Sequence, residues 1–388
     1  MPNAFEREAP TIAMTTAPGG GGVPRRLLAV NPSGAFSGAE VALLRVLQAA
    51  RRAGWRVDVV APDGLLVDRL SAAELPRTEL PELRFSTLPQ PLSIATAVPR
   101  SLRAASAIRR AATDADVLVV NGWHALPAVR LARVRCAVVW FVHDILGRRD
   151  QRAVVKGCAP VVTVAVAPSR AGAEPLLAQG IDVRVVRNGT PWPVEPAAAE
   201  SPDPPVIGVS GPLTGWKGQD VLLEAVARLR RRDPIVELMG GTFPGDRDYV
   251  RRLEQRAAAP DLAGRVRLLG HVDDPVERLR AWTVAVSASV DPETAPLNVL
   301  EAMSVGVPMA ATDHGGTPEV LGEAGLLVPP RDAGALAAAL DRLLGDADLR
   351  RRCAQAGPRL IAAGLTLDAQ EQAFVRVLEC VTERAPVG

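Results

Sequence analysis

Short apolar runs alternate with amphipathic stretches along nearly the whole chain, the pattern of parallel strands joined by crossover helices. In the first half the runs predict strands over Leu27–Asn31, Arg56–Ala61, Asp116–Asn121, Cys136–Val142 and Pro160–Ala165. Helical periodicity falls at 38–53, 94–112, 123–133 and 169–179, with Ser169 placed to cap the last. The alternation stops at 191–205, where repeated prolines restrict the backbone to an extended linker. It then resumes, with strands expected near 205–210, 235–239, 264–269, 283–287, 308–311 and 325–328, and helices at 332–344, 346–361 and 366–382. The prediction is an α/β protein of two Rossmann-like domains facing each other across a cleft. Residues 1–24 form a disordered tail, 25–190 the first domain, 191–205 the linker, 206–365 the second domain, and 366–388 a final helix and tail.

Composition narrows this picture without changing it. The length of 388 residues suits two or three domains, and a net charge of +2 gives no bulk field for nucleic acid or membrane. The four cysteines are far apart and match neither a metal-binding nor a disulfide pattern, so a reduced cytoplasmic setting is expected. Residues 1–24 lack the apolar core of a signal peptide, and no apolar stretch reaches the length of a bilayer span. Only two of the 45 basic residues are lysines, Lys156 and Lys217. A lysine retained in so arginine-rich a chain invites a chemical reason. Lys217 stands at an expected helix start, in Gly215-Trp-Lys-Gly-Gln-Asp220, where a compact ammonium suits phosphate.

The candidate chemistry concentrates where strands end. Ser289-Val-Asp-Pro-Glu-Thr-Ala-Pro-Leu-Asn-Val-Leu-Glu301 holds Glu293 in a loop and Glu301 inside a helix, seven residues between them. A pair at this spacing arises by chance about once in a chain of this length. Its company of Gly306, Pro308 and Asp313-His-Gly-Gly-Thr-Pro-Glu319 gives it weight. The first loop, Asn31–Glu40, lacks GxGxxG, which argues against a dinucleotide redox cofactor. Its Gly38, without a Cβ, lets backbone approach a phosphate at a helix N-terminus. His143 and Asp144 follow an apolar run, and His124 occupies a similar strand edge; an imidazole there can hydrogen-bond a sugar or move a proton near neutral pH. Gly240 and Gly241 leave room for a ligand, and His271 is placed to approach a nucleobase. Three Asp-x-Asp pairs (114/116, 246/248, 346/348) sit at helix or strand edges, where Asp is a common cap, and are read as structural.

Together, Glu293-x7-Glu301, the Lys217-Gly218 loop, Gly38-Ala-Glu40 and His143-Asp144 resemble the retaining GT-B glycosyltransferases of family 4 over about residues 25–380. The resemblance implies an acceptor-binding first domain, a nucleotide-sugar-binding second domain, and a C-terminal helix returning to the first. It implies a retaining glycosyltransferase with no cofactor and no obligatory metal, using a nucleotide-sugar donor (a UDP-sugar first, a GDP-sugar second) and a hydroxyl acceptor: a small molecule, natural product, glycan or lipid-linked group. By the same resemblance, Glu293 holds donor-sugar hydroxyls, Glu301 the ribose, Lys217 and the Gly38 backbone the diphosphate, and His143 lies beside the reacting sugar. Leu297, Asn298, Gly241 and His271 are assigned to the donor side, and His124, His143 and Asp144 to the acceptor. His143, Glu293 and Lys217 are the catalytic candidates. Two positions depart from the family: Pro212 stands where a second diphosphate cation, an Arg, is usual, and Ala295-Pro296 replaces Phe-Gly. Other readings are a nucleotide-sugar epimerase and a non-catalytic donor-binding subunit. Arg100, Arg103, Arg109 and Arg110 along one helix could touch anionic lipid, although a solvated face is expected.

Overall fold

The computed structural model describes residues 24–83, 90–191, 202–231, 233–272 and 274–383. All but the last residue of the predicted N-terminal tail and most of the proline-rich linker lie outside them.

The first sheet is built from β1 (Arg26–Val30), β2 (Arg56–Ala61), β3 (Arg77–Glu79), β4 (Val117–Asn121), β5 (Ala137–Phe141), β6 (Val164–Ala167) and β7 (Val183–Val185). Its strands lie parallel in the order β3-β2-β1-β4-β5-β6-β7. The crossovers are α1 (Gly38–Arg52), α2 (Leu65–Ala72), α3 (Gln90–Ala111), α4 (Leu126–Ala132), α5 (Arg149–Cys158) and α6 (Arg170–Leu177). Side chains alternate along a strand, so a sheet covered on both faces needs apolar residues at every position. Leu28, Val30, Leu118 and Val120 accordingly pack into one core with Ile108 and Val129, while Leu27, Ala29, Val117 and Val119 pack into another with Leu43 and Leu47.

The second sheet has the order β10-β9-β8-β11-β12-β13, again parallel, from β8 (Val206–Ser210), β9 (Ile235–Met239), β10 (Val266–Gly270), β11 (Val284–Ser287), β12 (Met309–Thr312) and β13 (Gly325–Val328). Between and after them come α7 (Gln219–Ala227), α8 (Arg247–Ala257), α9 (Val276–Arg280), α10 (Leu297–Ser304), α11 (Thr317–Leu321), α12 (Ala333–Gly345) and α13 (Ala347–Ala362). The last helix, α14 (Leu367–Glu383), leaves this domain and lays Phe374, Leu378 and Val381 into the first domain's core beside α1.

Several expectations are corrected. The strand expected at Pro160–Ala165 begins only at Val164, because Ala159–Val161 form a tight 3-10 turn. The helix expected from 123 opens with such a turn at Trp123–Ala125. The short edge strands β3 and β7 and the helices α2 and α5 had no predicted counterpart. Ser169 does cap α6, accepting from the Gly172 N–H at 3.1 Å. Arg100, Arg103, Arg109 and Arg110 are exposed on α3, whose Ala104, Ala105 and Ile108 face the core. Among the described residues no helix is long and apolar enough to cross a membrane.

Candidate active site

Every strand of a parallel sheet delivers its carboxyl end to the same edge, and here both edges face the junction of the domains. In the first domain β1 ends just before Asn31, β4 at Asn121 and β5 shortly before His143. These three side chains form a chain of hydrogen bonds. Asn31 Nδ2 donates to the Ser33 carbonyl at 2.5 Å, and Asn121 Nδ2 donates to Asn31 Oδ1 at 2.6 Å. Asn121 Oδ1 is left as an acceptor, so His143 Nε2, 2.5 Å away, carries the donated proton. In the neutral ring Nδ1 is then the basic nitrogen. Protein packs around the imidazole, with the Phe141 ring edge-on at 4.5 Å, and desolvation lowers its pKa to about 4. The site thus holds a neutral imidazole at ordinary pH.

The second domain supplies the charges. The turn Gly215–Lys217 ends at Gly218, whose φ of +68° suits glycine, and whose missing Cβ would fall 2.1 Å from the Ala288 carbonyl. Lys217 Nζ donates to Glu293 Oε2 at 2.7 Å and lies 4.5 Å from the centre of the Trp216 ring. Its stem runs against Gly211, where an added Cβ would stand 3.7 Å from Cε. Ser289 Oγ donates to the second oxygen of Glu293. Glu293 is therefore held on both oxygens before any ligand arrives. One turn into α10, Glu301 is enclosed by protein despite some residual exposure. Burial raises its pKa to about 6, opposed by the charges of Arg45 and Lys217.

The loop carrying Glu293 is stitched to the first domain. Asp144 and Glu293 pair as an isolated antiparallel bridge, and Thr294 Oγ1 donates to the His143 carbonyl at 2.9 Å. Asn188 Nδ2 donates to the Ala295 carbonyl at 3.0 Å. Gly38, at the start of α1, faces α10: a Cβ there would lie 3.7 Å from Leu297 Cδ1. Asn298, beside Leu297, has a buried Oδ1 with no hydrogen-bond partner. Thus the structure brings His143, Asp144, Lys217, Glu293, Leu297, Gly38 and Glu301 to one junction. Gly241 and His271 are neighbours at the ends of β9 and β10, a Cβ on Gly241 lying 4.0 Å from that of His271. His124 follows β4 and stacks on the Trp123 ring at 4.0 Å.

Two family patterns match: "Glycosyltransferase Family 4" over residues 36–191 and "Glycosyl transferases group 1" over 204–346. The chain belongs to the group 1, family 4 glycosyltransferases. A phosphatidyl-myo-inositol mannosyltransferase of Mycolicibacterium smegmatis is 39% identical over 138 residues, 34% of each chain. A D-inositol 3-phosphate glycosyltransferase of Frankia alni is 32% identical over 52% of this chain and 51% of its own. The matched region spans between about a third and three-fifths of the length of these and a comparable Rhizobium meliloti lipopolysaccharide core glycosyltransferase (34%, 51% and 58%). Among solved structures, HepE of Anabaena in complex with UDP and glucose superposes with a TM-score of 0.78 at 22% identity, covering 91% of this chain and 99% of its own. A sucrose-phosphate synthase of Thermosynechococcus elongatus reaches 0.78 at 19%, covering 92% and 99%. At those identities the likeness shows the fold, which is the GT-B pair of Rossmann-like domains.

Within this family the two proline departures acquire local context. The Pro212 carbonyl accepts from Gln219 Nε2 at 2.9 Å, and Pro296 is the N-cap of α10. Most of the Asp-x-Asp residues have structural partners: Asp346 caps α13 through the Leu349 N–H at 2.8 Å, Asp248 pairs with Arg251 at 2.5 Å, and Asp114 and Asp116 both hold Arg26. Among the described residues no three His, Cys, Asp or Glu side chains gather as a metal site. Sequence reading missed Asn31, Asn121, Ser289 and Arg45. Asn31 and Asn121 carried a signal, a polar residue closing an apolar strand run. Arg45 and Ser289 carried none.

Proposed function

We propose that this protein is a retaining glycosyltransferase that moves a sugar from a nucleotide-sugar donor, a UDP-sugar first, to a hydroxyl acceptor. The observation that carries the reading is the Lys217–Glu293–Ser289 cluster lying against the His143–Asp144 edge of the other domain. A donor set between them places its diphosphate by Lys217 and the Gly38 backbone, its sugar by Glu293, and its ribose by Glu301. Leu297 and Asn298 at the start of α10 complete that side, with Gly241 and His271 toward the base. His124, His143 and Asp144 face the acceptor.

In the reaction the bond from the anomeric carbon to the diphosphate oxygen breaks with oxocarbenium character, and the acceptor oxygen bonds to that carbon on the same face. The acceptor proton passes to the departing diphosphate. Lys217 and backbone N–H groups offset the charge that grows there, a stabilisation worth most in a site shielded from water. Donor binding draws the Lys217 ammonium from Glu293 toward phosphate, which frees the Glu293 carboxylate for sugar hydroxyls. A neutral His143 adds a hydrogen-bonding ring without adding positive charge beside the developing cation. No metal is required in this scheme.

Incubation with a panel of UDP-, GDP-, dTDP- and ADP-sugars, with and without hydroxyl acceptors and with and without a chelator, tests it. Glycosylated acceptor with the anomeric configuration kept, insensitive to chelator, is expected. An isomerised sugar nucleotide in the absence of acceptor would identify an epimerase. Nucleotide binding without turnover on any acceptor would identify a donor-binding subunit.

A further inference from the structure

Residues 313–319 leave β12 and turn into α11 between the loop that carries Glu293 and the start of α6 in the first domain. Two glycines let the backbone pass there. The Gly316 N–H donates to the Glu293 carbonyl at 2.8 Å. Gly315 has a φ of +59°, and a Cβ on it would fall 2.3 Å from the same carbonyl oxygen. A Cβ on Gly316 would fall 1.7 Å from the Thr294 carbonyl oxygen and 2.8 Å from Ser169 Oγ. The backbone behind the Glu293 loop thus runs against the residue that caps α6.

From α11 the Glu319 side chain crosses to the first domain. Its two oxygens accept the N–H groups of Arg170 and Ala171, each at 2.9 Å. Ser169 Oγ accepts the next, from Gly172, at 3.1 Å. The opening turn of a helix leaves such N–H groups without partners inside the helix, and its positive end favours an anion. Here the first domain satisfies one of the three itself, and the second domain satisfies the other two. Each end of the link is rooted in its own core: Ala173 and Leu176 of α6 in the first domain's, Val320 and Leu321 of α11 in the second's. The Arg170 bond is exposed and the Ala171 bond part-buried, so water could replace Glu319 in a first domain standing alone. What the carboxylate fixes is the placement of one domain on the other.

We propose that Glu319 is a positioning residue for sugar transfer: capping α6 from across the junction, it holds the Glu293 loop in register with the His143–Asp144 edge. The inference rests on the reading of those two edges as the donor and acceptor sides of one transfer site. The connection is short. Gly316, three residues before Glu319, bonds to Glu293, and the next residue of that loop, Thr294, donates to the His143 carbonyl. Lys217, Glu293 and Glu301, which carry most of the donor contacts in that reading, all lie in the second domain. Removing Glu319 therefore spares nucleotide binding and falls on the step that needs both edges. A capping side chain is worth roughly a five- to thirtyfold change in an equilibrium.

The test compares the full chain with Glu319→Ala, Glu319→Gln and Ser169→Ala. The readouts are turnover of the donor and acceptor that the panel identifies, calorimetry with UDP and GDP, and hydrogen exchange in residues 289–295. Glu319→Ala is expected to lower kcat by roughly five- to thirtyfold, to keep wild-type nucleotide affinity, and to speed exchange in the loop. Glu319→Gln keeps one of the two accepting oxygens and should fall between. Ser169→Ala removes a cap bond internal to the first domain, so it should lower the unfolding temperature and leave kcat and loop exchange unchanged. Wild-type kcat in Glu319→Ala, or an equal fall in Ser169→Ala, overturns the proposal, since the cap would then serve α6 alone. Circular dichroism checks folding, and Glu319→Gln carries the comparison if Glu319→Ala does not fold. A wild type that transfers no sugar removes the transferase reading instead. Loop exchange then decides the link across the junction: faster exchange in Glu319→Ala than in Ser169→Ala supports it, and equal exchange overturns it.

Discussion

His143 makes stability a reporter of the site's electrostatics. Partly buried against the Phe141 ring edge and bonded to Asn121, its imidazole has a pKa lowered by desolvation to about 4 against an ordinary 6.5. Between those values the unfolded chain binds a proton that the native ring refuses, so stability rises with pH across the window and is lost as pH falls from 6.5 toward 4. The full effect is about 3 kcal/mol, at about 1.4 kcal/mol per pH unit. Between about pH 8 and pH 5 roughly 2 kcal/mol of it should disappear.

His143→Gln removes this titration while its amide can still donate to Asn121 Oδ1. Urea unfolding followed by tryptophan fluorescence, in which the buried Trp140 three residues away contributes, gives the two pH dependences. The wild type should lose about 2 kcal/mol more than His143→Gln between the two pH values. Contributions from other groups, Glu301 among them, cancel in the subtraction. Equal losses in the two proteins, or an imidazole whose ring protons titrate at its ordinary value by NMR, would refute the argument.

Glu293→Gln should abolish most sugar transfer yet leave UDP affinity unchanged or improved, because Lys217 loses its competing partner; weaker UDP binding on calorimetry would contradict that assignment. Lys217→Ala should weaken UDP binding by about ten- to a hundredfold, the range for one charge-assisted hydrogen bond, and wild-type affinity would remove it from the diphosphate site. Glu301, raised to about 6 in the fold, disfavours the native state above that pH and ceases to do so as pH falls through 6 toward its unfolded value. Glu301→Gln should therefore gain up to about 2 kcal/mol at pH 8 while losing donor binding, and an unaltered melting temperature would count against it. Glu237 is 1% exposed on β9, where it accepts from Trp282 Nε1 at 2.9 Å and pairs with Arg278; Glu237→Ala should cost about 3 kcal/mol on urea unfolding.

The strands that position the site were legible because they are buried on both faces and so read as unbroken apolar runs; β2, β9 and β13 match their predicted limits. The missed elements lack that signature for a physical reason. Arg77-Thr-Glu79 and Val183-Arg-Val185 are edge strands with one covered side, and α5 buries only Val155 and Cys158. Candidate site residues were legible where a strand end or a glycine announced them, as at Lys217, Glu293 and His143, which the fold brings to one junction. What the sequence could not carry was partnership between distant segments. Nothing local distinguishes Arg45 from the many surface arginines, and its meaning comes from the Gly189 carbonyl 144 positions away. The same limit applies to the missing cation at Pro212. The loop there is closed by hydrogen bonds from Gln219 and from the Leu213 N–H to Gly241, the latter at 2.9 Å, so a local arginine has been exchanged for a rigid turn around Lys217. In the proposed donor site, Lys217 therefore carries more of the diphosphate binding than it would in a two-cation site. Lys217→Arg is accordingly expected to weaken UDP binding: a planar guanidinium on a three-carbon stem replaces a compact ammonium whose stem packs against Gly211 and the Trp216 ring. Restoring Arg at position 212 in that variant should recover UDP binding only if the turn can open, and failure to recover would show that the turn's rigidity, rather than the count of cations, fixes the phosphate geometry.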